Sequence, residues 1–253
     1  MTIRLSHLRF EIDSGLATRA RLGLVTLATD YTVEHEFQQA ITRLPGVALY
    51  VSRIEMAAET TAENLAAMAG RITPTTELLL PGEPFQAIAY GCSSATSIIG
   101  EDRVAELVRA AKPEAEVTNP ITAACAALGA FGARRIGILT PYIAEVNAQV
   151  QASFEAAGFE IAAFGSFDEP TEARVGALAP GSILDGARQV AGAAKMDALF
   201  ISCTNLRALD LAGPLEHELG IPVTASNHAM IWHSLRLAGI EDRLEGLGRL
   251  FMS

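Results

Sequence analysis

The sequence predicts an α/β protein of two pseudo-symmetric lobes, each a mainly parallel four-stranded sheet flanked by helices, with an active site between the lobes. Three observations carry this. Short apolar runs alternate with amphipathic stretches of roughly 10–15 residues, the pattern of parallel strands joined by crossover helices. The hexapeptide Arg21-Leu22-Gly23-Leu24-Val25-Thr26 returns almost residue for residue as Arg135-Ile136-Gly137-Ile138-Leu139-Thr140. A buried-type run that stops at a cysteine followed by hydroxyl or amide side chains also occurs twice, as Ala87-Ile88-Ala89-Tyr90-Gly91-Cys92-Ser93-Ser94 and Ala198-Leu199-Phe200-Ile201-Ser202-Cys203-Thr204-Asn205.

Taken in order, residues 1–20 pattern weakly and predict an arm or extra edge element with no assigned role. Leu22–Leu27 is a strand of the fully buried kind, followed by an amphipathic helix over about 32–43. Val47–Val51 is a second strand after Pro45-Gly46, and a helix is expected over about 61–71. Phe85–Tyr90 is the third strand, about 97–111 a helix, and Glu116–Thr118 a short fourth strand. Asn119-Pro120 opens a helix through Phe131, with proline in the first turn, where its missing N–H costs nothing. The order then repeats: strand 135–140, helix 143–157, strand 159–164, helix 181–194, strand 197–202, helix 206–219, strand 221–224. The first strands are offset by 114 residues (21 to 135), the cysteines by 111 (92 to 203) and the last strands by 106 (117 to 223), so few insertions separate the halves.

Composition narrows the function. Half of the 253 residues are apolar and 19% are charged, enough for a large core. The net charge of −10, with basic residues scattered, argues against nucleic acid as a partner. No apolar run reaches the roughly 18 residues of a membrane span, and Met1–His7 lacks an apolar signal region, so a cytoplasmic protein is expected. The three cysteines are separated by 33 (92 to 125) and 78 (125 to 203) residues, which fits free thiols better than disulfides or a zinc knuckle. No metal site is expected: Glu34-His35-Glu36 lies in a helical stretch where consecutive residues diverge, which suits a surface or lobe contact, and His228 and His233 share no helical face. There is no glycine-rich dinucleotide fingerprint, phosphate-binding loop or nucleophile elbow, and no cofactor is called for.

In parallel sheets, ligands sit at the carboxyl ends of the strands. The candidates are therefore Thr29 and Asp30, Cys92 with Ser93 and Ser94, Asn119, Thr140 to Tyr142, Cys203 with Thr204 and Asn205, and Ser226 with Asn227. Cys92 at a helix start should have a lowered thiol pKa. A lone cysteine is as readily a small core residue, and this holds for Cys125; the repetition of Cys203 favours a functional pair. Ser93, Ser94, Thr204 and Asn205 also read as helix caps, and Tyr142 as a donor or a packing residue.

Tyr90-Gly91-Cys92-Ser93-Ser94, Thr140-Pro141-Tyr142 and Ser202-Cys203-Thr204-Asn205, within a duplicated region over about 21–240, resemble the aspartate/glutamate racemase superfamily. Within it the likeness is to the branch of maleate isomerase and arylmalonate decarboxylase, nearest to its ectoine-utilisation member. The resemblance implies a last helix that returns to the first lobe, and so an N-terminal lobe of residues 1–118 plus 225–253 and a C-terminal lobe of 119–224. It further implies a cofactor-free isomerase with Cys92, Cys203 and Tyr142 as catalytic residues and a small carboxylic or amino acid substrate held by Thr29, Asp30, Ser93, Ser94, Thr140, Thr204, Asn205 and Glu172. A homo-oligomer, dimer or tetramer, is expected.

In racemases of this superfamily one thiolate removes the α-proton and the opposite thiol returns one. In maleate isomerase the cysteine at the position of Cys92 adds to the alkene, and the decarboxylase lacks that cysteine. Maleate isomerase also has Ser-Asn-Thr after its first strand, where this chain has Thr29-Asp30-Tyr31, and a second family asparagine falls near Glu172. Acidic groups repel a dicarboxylate and attract an ammonium. The leading expectation is thus a racemase or epimerase of an α-amino acid, an ectoine-derived diamino acid among them. The alternatives are maleate-type cis–trans isomerisation and, below it, a decarboxylase or a non-catalytic two-lobed binding protein.

Overall fold

The computed structural model describes residues 3–57 and 61–253; residues 1 and 2 of the expected arm lie outside the described residues. Two four-stranded parallel sheets form, with orders β2-β1-β3-β4 and β6-β5-β7-β8. The first comprises β1 (Ala20–Leu27), β2 (Val47–Ile54), β3 (Ala87–Gly91) and β4 (Glu116–Thr118), and the second β5 (Arg135–Thr140), β6 (Glu160–Ser166), β7 (Ala198–Ile201) and β8 (Val223–Ala225). Equivalent strands pair in equivalent register: Leu22 and Thr26 face Ala87 and Gly91, while Ile136 and Leu139 face Ala198 and Ile201. The inner strands β1, β3, β5 and β7 are almost wholly buried, whereas the outer strands β2 and β6 are half-buried along most of their length. Position in the sheet thus explains which runs read as continuously apolar.

The helices are α1 (Val33–Ile41), α2 (Ala62–Ala67), α3 (Ala69–Glu77), α4 (Ser93–Ile99), α5 (Glu101–Ala111), α6 (Pro120–Ala130), α7 (Ala144–Ala156), α8 (Glu172–Gly176), α9 (Pro180–Ala193), α10 (Ala212–Leu219) and α11 (Ser226–Leu237). α11 packs on β3, β4, α1 and α6, so the last long helix does return to the first sheet. One apolar cluster runs from Val25, Tyr90 and Cys92 through Tyr142 and Cys203 to Phe154 and Phe200, crossing from lobe to lobe. A second lies on the other face of the first sheet, between Leu22, Phe37, Ala123, Met230 and Phe251.

Four expectations about helices need correction. The helix expected over 61–71 is two, α2 and α3, meeting at Met68 and running on past Pro74 to Glu77. The helix expected from 97 begins at Ser93 and breaks at Gly100, whose φ of +91° is outside helical space, before α5 resumes. α8 has no counterpart in the expected pattern; its five residues are too few to show a period. The helix expected from 206 starts only at Ala212, after a 3-10 turn at Leu209–Leu211. Cys203 is therefore not at a helix N-terminus as Cys92 is. It has a φ of +138°, and the chain after it is irregular because its polar groups bond across to the first lobe.

Candidate active site

Cys92 ends the turn after β3 and caps α4, its sulfur accepting from the Ala95 N–H (3.4 Å) and lying 3.5 Å from Ser94 Oγ. Burial pushes its thiol up to about 12 in spite of those two contacts, and the carboxylates of Glu172 and Asp30 push the same way. The lowering expected from the helix start is thus overturned: Cys92 is 3% exposed, and desolvation of a thiolate outweighs a few partial charges.

Cys203 is held by its backbone. Its N–H donates to Ser226 Oγ (2.9 Å), and Ser226 Oγ is also 3.0 Å from Ser93 Oγ, so one hydroxyl ties the two cysteine turns together. Tyr142 joins them a second time: it lies close enough to interact electrostatically with Cys203, Cys92 and Ser93. Burial holds the Cys203 thiol and the Tyr142 phenol well above their ordinary values, and Glu172 and Asp30 add to the shift on Cys203. Both sulfurs, the phenol and two carboxylates therefore act on one another in one closed site.

The carboxylates enter from different lobes. Asp30 is buried; its Oδ1 accepts from the N–H groups of Thr32 (2.7 Å) and Val33 (2.9 Å), so it occupies two donors at the start of α1. Its Oδ2 has no hydrogen bond, and the nearby Thr204 hydroxyl is turned to Gly91 O (3.4 Å). Burial raises the Asp30 pKa against the pull of those two N–H groups. Glu172, buried at the first position of α8, accepts from Asn205 Nδ2 at Oε2 (2.9 Å) and at its backbone carbonyl (3.0 Å). Asn205 Oδ1 in turn accepts from Tyr31 N–H (2.9 Å), and Asn205 O from the Thr32 hydroxyl (2.9 Å). The Asn205 side chain thus spans the lobes as a strut, with its amide committed to protein partners.

Three further candidates stand apart. Thr29 is half-buried with its hydroxyl toward Met56 Sδ (3.9 Å). Thr140 donates to Asn147 Oδ1 and accepts from Tyr142 N–H (3.3 Å), so it shapes the turn that carries Tyr142. Asn119 caps α6 through Thr122 N–H (2.8 Å). Sequence reasoning named Ser226 and Asn227 only as strand-end residues and gave Glu36 a surface or lobe-contact reading. In the fold, Asn227 Nδ2 donates to Thr204 O (2.7 Å) and to Glu36 Oε2 (2.7 Å), and Glu36 Oε1 accepts from Leu209 N–H (3.0 Å). Their signal was there: Ser226 and Asn227 directly follow β8, and Glu36 sits on the inner face of α1. Among the described residues no group of three or more His, Cys, Asp or Glu side chains is arranged to hold a metal ion, and no helix is long and apolar enough to cross a membrane.

Comparison with known proteins places this geometry. The model of a family described as arylmalonate decarboxylase matches residues 86–251. A maleate isomerase of Nocardia farcinica is 30% identical over 239 residues, which are 91% of this chain and 94% of the relative. An arylmalonate decarboxylase of Bordetella bronchiseptica is 30% identical over 136 residues, 53% of this chain and 57% of that one. Among solved structures, a cysteine-to-serine variant of the Nocardia farcinica maleate cis–trans isomerase, with a covalently bound succinylcysteine intermediate, superposes with a TM-score of 0.83 at 27% identity, covering 92% of this chain and 98% of the other.

Proposed function

The chain belongs to the arylmalonate decarboxylase family, and on that premise we propose a cofactor-independent isomerase that racemises or epimerises an α-amino acid between Cys92 and Cys203. The observation that carries the substrate class is the pair of buried carboxylates, Asp30 and Glu172, both of which raise the thiol of Cys92 and that of Cys203. A dianion entering this site would meet repulsion in a medium of low dielectric constant, whereas an ammonium would find Asp30 Oδ2 without a hydrogen bond.

Binding of the cation also supplies activation. With the carboxylates neutralised, one cause of the raised thiol pKa values disappears, so deprotonation becomes easier when substrate is present. One thiolate then takes the α-hydrogen as a proton, breaking C–H and forming S–H, and the electron pair is delocalised into the substrate carboxylate. The opposite thiol gives its proton to the other face of the same carbon, and the two sulfurs exchange roles for the return reaction. Ser93, Ser94 and Thr204 hold the substrate carboxylate, and the Tyr142 phenol donates to the charge that develops. A diamino acid of the kind derived from ectoine fits two carboxylates with two ammonium groups.

A second reading is favoured by the near full-length similarity to the Nocardia farcinica maleate isomerase. Here the Cys92 thiolate adds to the alkene of an unsaturated diacid, Cys203 supplies the proton, the new single bond rotates, and elimination returns the proton to Cys203 and releases the Cys92 thiolate.

Proton NMR in deuterated buffer separates the two. L-2,4-diaminobutyrate should lose its α-proton signal and its optical rotation with the wild type, and keep both with Cys92→Ser or Cys203→Ser. Conversion of maleate to fumarate without α-exchange of any amino acid would replace the racemase reading by the second one, and turnover of neither would leave a binding protein.

A further inference from the structure

We infer that the segment before β1 is an exchange arm, which lies along the open edge of the first sheet of a second copy of this chain and receives that copy's arm in return. The inference is independent of the reaction catalysed. Residues 3–17 run over the outside of the molecule, and their six large apolar side chains, Ile3, Leu5, Leu8, Phe10, Ile12 and Leu16, are 68% to 87% exposed. Among the described residues, the side-chain hydrogen bond of this stretch is internal, from Gly15 N–H to Asp13 Oδ1 (2.8 Å). Scattered single apolar residues on a surface need no explanation, but a continuous row of six does.

The row has the phase of a strand. Ile3 and Leu5 alternate on odd positions, while Leu8, Phe10 and Ile12 alternate on even ones. The change of phase falls at His7, whose φ of +55° lies in the left-handed region. One residue out of extended conformation shifts a period of two by one, as a bulge does, and returns both sets to a common face. An extended segment with one apolar face is what adds to a sheet edge.

Size and charge point to a second copy. Six side chains of roughly 100–200 Å² each amount to the order of 800 Å² that one partner contributes to a standard interface. Two reciprocal arms double it, as an isologous dimer requires. Residues 3–17 carry Arg4 and Arg9 against Glu11 and Asp13, so the arm has no net charge and can approach a second chain of net charge −10 without the repulsion the two bodies feel. Fifteen extended residues span about 50 Å, comparable with the diameter of a 253-residue globule, about 45 Å. The shared fold covers 92% of this chain and 98% of the Nocardia farcinica enzyme, which leaves about 20 residues here, as many as precede β1.

The edge follows from where the arm leaves. Arg19 N–H (2.8 Å) and Ala20 N–H (3.2 Å) both donate to Gly46 O, immediately before β2, and Arg19 pairs with Asp242. The arm is therefore anchored at the foot of β2, the outermost strand, whose Ala48, Leu49, Tyr50 and Val51 are half-buried. A two-fold axis beside that edge lets each arm reach the other's β2 by the shortest path.

Light scattering after gel filtration tests the dimer. The wild type should elute at twice the mass of one chain, and Phe10→Asp/Ile12→Asp, which alters only exposed side chains, at the mass of one. A synthetic peptide of residues 3–19 should bind the monomeric variant and slow amide exchange in 47–54, and the same peptide with both substitutions should not. A monomeric wild type, a dimeric double variant, protection confined to other strands, or co-sedimentation of the wild type with anionic lipid vesicles that the double variant loses would each overturn the inference.

Discussion

Ser226 shows how much of the site rests on a residue that does no chemistry. Its hydroxyl accepts the N–H of Cys203, a non-glycine residue at φ +138°, and meets the hydroxyl of Ser93. Ser226→Ala leaves a buried N–H without a partner, which costs about 1–3 kcal/mol. Urea unfolding should register that loss, and kcat should fall by about tenfold or more while KM changes little, since a thiol displaced by a fraction of an ångström still binds but no longer lines up. A full kcat in this variant would show that other contacts fix the turn. At this scale the sequence was legible in bringing the strand-end residues Cys92, Cys203 and Tyr142 to one place. It was misleading where burial decides, since a thiol at the start of α4 is raised by desolvation. It named Ser226 as a strand-end candidate but gave it no role, because a serine after a strand has the same local pattern whether it caps a helix or spans two lobes.

Among the elements, α1 and the equivalent strands β1 and β5 carry the consequences. Glu36 on the buried face of α1 is pushed up to about 7, chiefly by burial, against donors from Leu209, Asn227 and Ala208. Its unfolded value is near 4.5, so between about 4.5 and 7 the folded chain holds a proton that the unfolded chain has released. Stability from this group is thus greatest at low pH and declines as pH rises across that window, by on the order of 3 kcal/mol in all. Glu36→Gln should lack this slope when unfolding free energies are compared with those of the wild type from pH 4.5 to 8. An equal slope in both would remove Glu36 as its source. In the strands, a methyl group on Gly23 would meet Ile88 Cγ1 at 2.9 Å and Leu79 Cδ1 at 3.0 Å, and one on Gly137 would meet Met196 Sδ at 2.6 Å. Unbranched Met196 can move its end, whereas Ile88 is stiff within β3. Gly23→Ala should therefore lose about 1–3 kcal/mol, and Gly137→Ala less, in chemical denaturation. Strands and their order were readable because the apolar runs and the repeat agree. Helix ends were not, wherever a single residue such as Gly100 or a cross-lobe bond at 203–208 overrode the period.

For the whole molecule, closure is the dominant fact. Cys92 and Cys203 are 3% and 5% exposed. A thiol pushed from 9.0 to about 12 has ~1,000-fold less thiolate near neutral pH. Iodoacetamide should accordingly modify Cys92 at least that much more slowly than a free cysteine, as followed by mass spectrometry of the peptide. Fast labelling in the absence of any ligand would mean that the lobes stand open most of the time. The duplicated plan was legible from two hexapeptides and two cysteine turns, whereas the degree of closure was not, because it depends on bonds between residues more than a hundred positions apart, such as Asn205 to Tyr31. That bond has a mechanical corollary. Asn205 grips the first lobe from only two positions beyond Cys203, so any parting wide enough to admit a solute must tug on the segment bearing a reacting sulfur. The doorway and the tool share one short lever, and a guest that lets the amide re-engage resets the sulfur's aim in the same movement.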